Sequence, residues 1–371
     1  MAFKQRVINT SYDVRMAFAR IEDELIASMM RNLSKHLDEE DKAQFDWLQW
    51  QAGQLQLLNT YRRNNRKKYG RQFDRINAAI ERAIRDSYAA GQKKAELEIL
   101  KAIAADRKIH PKPVTRPTAY FNGEKLEALV RATRDDMTKA EYAVLRRVND
   151  QYRKIIFDAQ MYANTGAATV EKAVDMAAKD FLSRGIDSIQ YKNGARHTIS
   201  DYADMAIRTA EKRAYLMGEG TKRQEWGEPL VIVNRRGTMQ NGDYGTACAQ
   251  CIPWLGKVLV DDVYSDGKPD GEHKTLSEAM RAGFLHPRCK DSVTTYIPGI
   301  GPHIKPITAK ERKEAARNEA KENREQYIER QAKKYERLAE YTLDPVDKQK
   351  YKEKEKIYKD TAIPPRGTDK K

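Results

Sequence analysis

Only three cysteines occur among 371 residues, and all lie between Cys248 and Cys289. An odd number confined to one short region excludes a disulfide framework and fits a reducing compartment. Long hydrophobic runs are missing too. No stretch approaches the ~18 consecutive apolar residues of a membrane span, and the opening MAFKQRVINTSYDVR lacks the apolar core of a secretory signal. An integral membrane or conventionally secreted protein is therefore not expected. Aromatics are sparse at 8%, and hydrophobic residues reach 40% against 33% charged, so much of the chain is expected as solvated helix around a moderate core. There is no G-x-x-x-x-G-K-[ST] loop and no G-x-S-x-G elbow, so a P-loop ATPase lacks its phosphate cradle and an α/β-hydrolase its nucleophile.

Positive charge is what the sequence has in excess: 69 Lys and Arg against 54 Asp and Glu, a formal +15, with a pI near 9.4. The excess favours an anionic partner, and charge alone does not separate DNA from an acidic protein. The length suits two or three domains.

Apolar residues recur at Val14, Phe18, Ile21, Leu25, Met29 and Leu33, spacings of three and four that predict an amphipathic helix from Val14 to Leu37. Asp38 and Asp41 offer caps for a second helix carrying Phe45, Leu48, Ala52, Leu55 and Leu58. A third series, Phe73, Ile76, Ile80, Ile84, Ala90, Leu97 and Leu100, completes an expected helical bundle or arm over 1–109. Pro111, Pro113 and Pro117 remove amide donors and bias their predecessors away from helix, predicting a linker at 110–120. Within 121–226, apolar positions from Leu126 to Ala159 predict a long spine helix, Thr169 to Ser183 a shorter one, and about Ser200 to Gly218 another.

The texture changes after Gly227. Short β-branched runs at Leu230 to Val233, Val258 to Val260 and Val293 to Ile297 predict a small α+β module at 227–303. Residues 304–371 read as a charged helical tail, whose sparse Tyr327, Tyr335, Leu338 and Tyr341 suit a solvated helix laid on a partner. The stripe from Val14 to Met29 is read likewise, as a docking face. The expected fold is mainly α, with elongated helical arms and a small inserted zinc-stapled α+β module.

The informative constellation lies in that module. Cys248-Ala-Gln-Cys251 and His286-Pro-Arg-Cys289 give C-x2-C and H-x2-C, separated by 34 residues. Two-residue spacings let each pair converge on one ion from a tight knuckle, and four N/S donors suit a closed, structural Zn²⁺ site. The intervening loop is poor in apolar residues, so metal binding is expected to supply folding free energy. Two other readings remain open: small buried apolar cysteines beside a surface histidine, and a redox CxxC.

Two further clusters have paired readings. Asp261, Asp262, Asp266 and Asp270 near His273 could hold a divalent ion for a nuclease, but Ser265-Asp-Gly-Lys-Pro-Asp-Gly271 is dense in turn formers, and a polar turn is expected. Arg62, Arg63, Arg66, Lys67, Lys68 and Arg71, flanked by Tyr61 and Tyr69, form either a phosphate-contacting patch with stacking aromatics or a solvated helix face or turn.

Tyr202-Ala-Asp-Met-Ala-Ile-Arg208, Arg213-Ala-Tyr-Leu-Met-Gly218 and Trp226-Gly-Glu-Pro-Leu-Val-Ile-Val233 lead into the cysteine pair and Trp254-Leu-Gly-Lys-Val258. Leu276-Ser-Glu-Ala279, Gly283-Phe-Leu-His-Pro-Arg-Cys289 and Tyr296-Ile-Pro-Gly299 follow. In this order the motifs resemble the minor capsid, or minor head, proteins of tailed phages related to the Mu F protein and of the phage minor capsid protein 2 type. Where many relatives place a Cys or His two residues after the H-x2-C cysteine, this chain has Asp291. It is either a substitute oxygen ligand or the mark of a degenerate site.

The resemblance implies a structural, non-enzymatic component of a phage head, located in the virion at the capsid interior or portal vertex and in the host cytoplasm during assembly. Its implied partners are portal protein and capsid or scaffolding components, with genomic DNA a further candidate, and its implied work is head assembly and DNA packaging or delivery. The alternatives are a DNA-binding or DNA-processing protein that uses the basic patch and zinc module, and a toxin-like enzyme of the related fused class.

Overall fold

The stripe from Val14 to Leu33 is core. In the computed structural model, which describes residues 11–34, 47–105, 108–111, 116–164, 169–191, 194, 196–234, 250–287, 289, 291–300 and 308–361, all six of its side chains are at most 3% exposed. The described residues form eight α-helices: α1 Ser11–Leu33, α2 Trp47–Ala104, α3 Arg116–Asn164, α4 Val170–Arg184, α5 Ile199–Trp226, α6 Leu276–Arg281, α7 Ala309–Tyr341 and α8 Pro345–Thr361. They also form six strands: β1 Ile189–Gln190, β2 Arg196–His197, β3 Leu230–Asn234, β4 Val258–Val260, β5 Lys274–Thr275 and β6 Ser292–Thr295. The chain is mainly helical, as expected. The spine helix α3 starts at Arg116, so it takes up the last residues of the segment read as a linker; Pro117 suits that first turn, where an amide has no helical partner to lose. Contacts divide the chain into two compact units, one holding Tyr12–Asn77, Asp136–Ala203 and Asn323–Lys371, the other Ala78–Asp135 and Asp204–Glu322.

In the first unit, Phe18 of α1 packs on Phe73 of α2 with ring centroids 6.1 Å apart, and the Tyr61 hydroxyl donates to the Leu25 carbonyl at 2.8 Å. Burial of each such side chain is worth about 1.5–3 kcal/mol, so α1 spends its apolar face on its own fold. The expected docking role for that stripe is overturned. The two helices expected from Phe45 to Leu58 and from Phe73 to Leu100 are one continuous α2; Phe45 itself lies outside the described residues. Tyr61, Asn65, Tyr69 and Phe73 repeat every fourth position and are all buried, which carries the helical stripe through the charged stretch.

Glu22 of α1 reaches the start of α5, where its carboxylate accepts from the Ile199 amide at 2.9 Å and from the Ser200 hydroxyl at 2.8 Å. This satisfies an amide that the helix itself leaves without a partner. Burial, the largest cause, pushes the Glu22 carboxyl up to about 8, despite those two donors.

The tail is also part of the first unit. Arg337 donates to the carbonyls of Leu182 and Ser183 at the end of α4, Asp175 accepts from the Leu343 amide at 2.7 Å, and Lys172 and Lys179 pair with Asp344 and Asp347. Leu338 is 3% exposed, and Tyr335 stacks on Tyr358 of α8 at 5.4 Å. Residues 323–361 are thus no free arm, contrary to expectation. Of the three tyrosines expected to dock on a partner, Tyr327 is exposed, whereas Tyr335 and Tyr341 are half-buried.

In the second unit α5 runs past Gly218 to Trp226, where the sequence suggested a stop. A Cβ at Gly91 of α2 would lie 2.1 Å from the Tyr215 carbonyl oxygen, and one at Gly218 would lie 2.0 Å from that of Tyr88. These glycines let two helices approach backbone to backbone. The sheet follows α5 in the order β5-β4-β3-β6, with β3 antiparallel to β4 and β6 and β4 parallel to β5. Thr275 opens α6 with a reciprocal cap: its hydroxyl accepts from the Glu278 amide, and the Glu278 carboxylate accepts from the Thr275 amide at 3.0 Å.

Candidate metal centre

Cys251 sits just before a single 3-10 turn, Ile252–Trp254, whose Trp254 amide donates to the Cys251 carbonyl at 2.9 Å. Cys289 follows a similar knuckle, with its amide donating to the His286 carbonyl at 2.9 Å. The two turns face each other. Donor atoms of Cys251, His286 and Cys289 lie within 4.8 Å of one another, and the two sulfurs are 3.4 Å apart. Two thiolates on one tetrahedral Zn²⁺ at 2.3 Å stand about 3.8 Å apart, so small side-chain adjustments would admit the ion.

The histidine is suited to such a role. Its Nδ1 lies 2.8 Å from the Pro287 carbonyl, which can only accept, so Nδ1 carries a proton and Nε2 would be the donor to a metal. The Cys289 thiol is held down at about 7, chiefly by its contact with Cys251, with help from the Asp291 backbone and His286 and against the opposing effects of burial and the Asp291 charge. A lowered thiol deprotonates readily for a metal.

The donor set is three-membered among the described residues. Cys248 lies outside them, and Asp291, though only 2% exposed, is not in the cluster. The Asp291 backbone carbonyl lies 3.9 Å from Cys289 Sγ.

The module surrounding the cysteines has more apolar content than its sequence suggested. Cys251, Trp254, Leu255, Leu259, Tyr264, Leu276, Ala279 and Phe284 pack with Val231, Val233 and Val293 in one buried cluster. Metal is therefore not needed to gather the module; it would tie down the two knuckles. The core is hard to see in the sequence because its members are scattered singly among turns.

The acidic residues do not converge. Asp261 is fully buried, with one carboxylate oxygen accepting from Arg223 at 2.7 Å and the other from the amides of Val263 and Tyr264. Asp262 accepts from the Ser277 amide and hydroxyl at the start of α6. Asp270 accepts from the Glu272 and His273 amides and the His273 ring, which hold its carboxyl down at about 2. These are turn and capping roles, as the density of turn formers implied. Arg223, fully buried behind them, carried no sequence signal.

Arg62, Arg63, Arg66, Lys67, Lys68 and Arg71 are all exposed on α2, in mid-helix rather than in a turn. Asn59, Arg62, Arg63, Arg66 and Lys67 line a shallow groove of 420 Å³. Lys68 leans away to Glu24 and over the Tyr69 ring. Of the two readings the solvated helix face is the one observed, and stacking by the flanking aromatics is ruled out, because Tyr61 is 4% and Tyr69 1% exposed.

No helix among the described residues is long and apolar enough to cross a membrane. The family model described as phage minor capsid protein 2 matches residues 5–361. Neither the comparison with curated proteins nor that with solved structures returns a match.

Proposed function

Because the chain belongs to the phage minor capsid protein 2 family and so has a structural role in a phage capsid, we propose that it acts at the portal vertex or capsid interior, assisting head assembly and DNA packaging or delivery. The family match over nearly the whole chain carries this reading. It is supported by a charged surface suited to large assemblies. Portal protein and the capsid or scaffolding components are the proposed partners, in the host cytoplasm during assembly and afterwards in the virion.

In this proposal the module at 227–303 carries a structural Zn²⁺ on Cys248, Cys251, His286 and Cys289, with Asp291, where relatives have a Cys or His, as a substitute oxygen donor. The ion supplies a rigid crosslink between the two knuckles and no turnover. Co-expression with the portal protein of the same phage tests the capsid reading: the two should co-purify as one complex, and separate elution at physiological salt would count against the portal vertex as its place.

A second reading is favoured by one observation. Arg62, Arg63, Arg66, Lys67 and Arg71 are exposed along one stretch of α2, and none pairs with a carboxylate among the described residues. Such a face suits contact with DNA phosphates, each neutralised phosphate adding to the salt dependence of binding. Charge reversal at Arg62 and Arg66 should weaken duplex DNA binding at unchanged melting temperature; unaltered binding would remove this contact.

A further inference from the structure

A second cationic site lies where the tail meets α4. Lys179 and Ser183 of α4, Lys334 and Tyr335 of α7, and Tyr351 and Lys354 of α8 line a cleft of 290 Å³. Tyr335 is its floor, stacked on Tyr358 with planes 11° apart and set beside Tyr351 at 6.3 Å. Two ammonium groups arrive over that one ring: Lys334 Nζ and Lys354 Nζ each stand 5.4 Å from its centroid.

Their neighbours are matched with carboxylates. Lys172 pairs with Asp344, Lys179 with Asp175 and Asp347, Lys333 with Glu329, Lys350 with Asp347, and Lys359 with Glu336 and Glu355. Asp180, the acidic residue on the cleft wall, is taken by Arg184. Lys334 and Lys354 have no carboxylate within 4.0 Å among the described residues. Attraction to the ring face holds each of them only weakly in water, and their like charges repel. An anion between them would relieve that repulsion, and the Ser183 hydroxyl on the same wall is a further donor.

We propose that this cleft holds a phosphate group, carried by a nucleic-acid backbone or by a free nucleotide, with Lys334 and Lys354 as its two charge partners. The site does not depend on the capsid reading or on the metal. Three oxygens and a charge near −2, or one bridging phosphodiester, fit two ammonium groups over one ring and a hydroxyl beside them better than a carboxylate would.

Titration of the full chain with a labelled twelve-nucleotide single strand over a range of salt concentrations tests the proposal. Lys334→Gln with Lys354→Gln should lower the salt slope by about 0.7, the share of the one phosphate no longer neutralised. The matched control, Lys348→Gln with Lys352→Gln, removes the same charge from α8 and should leave the slope unchanged. Lys354→Arg should retain binding, and thermal melting checks that each variant is folded. Competition by pyrophosphate would assign the site to a free phosphate group, and its failure to compete, with the slope still falling, would assign it to the polymer backbone. Equal slopes for the native chain and the cleft variant, or equal losses in cleft variant and control, would overturn the proposal.

Discussion

Cys251 Sγ stands 3.4 Å from Cys289 Sγ, although the two residues are 38 positions apart in the chain. Nothing local brings them together; the buried cluster of Trp254, Leu259, Leu276 and Phe284 does. One zinc per chain is therefore expected by elemental analysis, and Cys251→Ser or Cys289→Ser should abolish it. Because the module has its own core, a chelator should lower the melting temperature without unfolding the chain. At free zinc 100-fold above its dissociation constant, the lost stabilisation would be about 2.7 kcal/mol. Native melting unchanged by chelation, in protein that never held zinc, would contradict the site.

The Asp261 carboxylate holds the fully buried Arg223 guanidinium. Removing its charge leaves the buried guanidinium with Glu219, 3.8 Å away, as its remaining anionic partner, at a cost of up to about 3–5 kcal/mol. Asp261→Asn should therefore destabilise strongly in denaturant melts, whereas Asp266→Asn should change little. A mild effect at Asp261 would show that the pair contributes less than its burial implies.

Four helical glycines separate two effects. Gly53 and Gly70 of α2 have open space where a methyl group would stand, with nothing within 4 Å, so Ala there should stabilise by about 0.5–1 kcal/mol through helix propensity. Gly91→Ala and Gly218→Ala should instead destabilise, because the new carbon meets a carbonyl oxygen at 2.1 and 2.0 Å. Equal melting shifts at all four positions would refute the close helix approach.

Stability should fall as pH rises through the range from about 4.5 to about 8. The Glu22 carboxyl is raised from 4.5 to about 8, so over that range the folded chain keeps a proton the unfolded chain has released. Its benefit is complete below 4.5 and gone above 8. Arg337, which Glu22 draws toward its charged form, opposes the rise, while Asp23 and Asp201 add to it. Glu141, raised to about 7 by burial, acts in the same direction. Glu22→Gln should flatten the profile by an amount on the order of a few kcal/mol. Parallel profiles for variant and native protein would contradict a buried, protonated Glu22.

The α1 stripe, the spine helix, α4 and three of the strands were legible because each is written in local periodicity or β-branched runs. The start of α4 at Thr169 was legible too, and there the Thr169 hydroxyl accepts from the Lys172 amide at 3.1 Å. What covers each face was not. The partner of Leu338 and Arg337 is α4, some 150 residues earlier, and no window of sequence holds both. Gly218 read as a helix end because a close approach has no one-dimensional signature. At the metal centre the two-residue spacings identified Cys251, His286 and Cys289, while the core that presents them came from scattered single residues. Tyr61 and Tyr69 misled because i, i+4 burial and an exposed stacking pair look alike in sequence.

Quantitative mass spectrometry of purified phage heads tests the capsid role most directly. The chain should be found in heads freed of tails and unbound protein, in far fewer copies than the major coat protein, and should stay with them through a high-salt wash. Its recovery only in the soluble lysate, with heads complete and filled without it, would contradict a structural place in the particle.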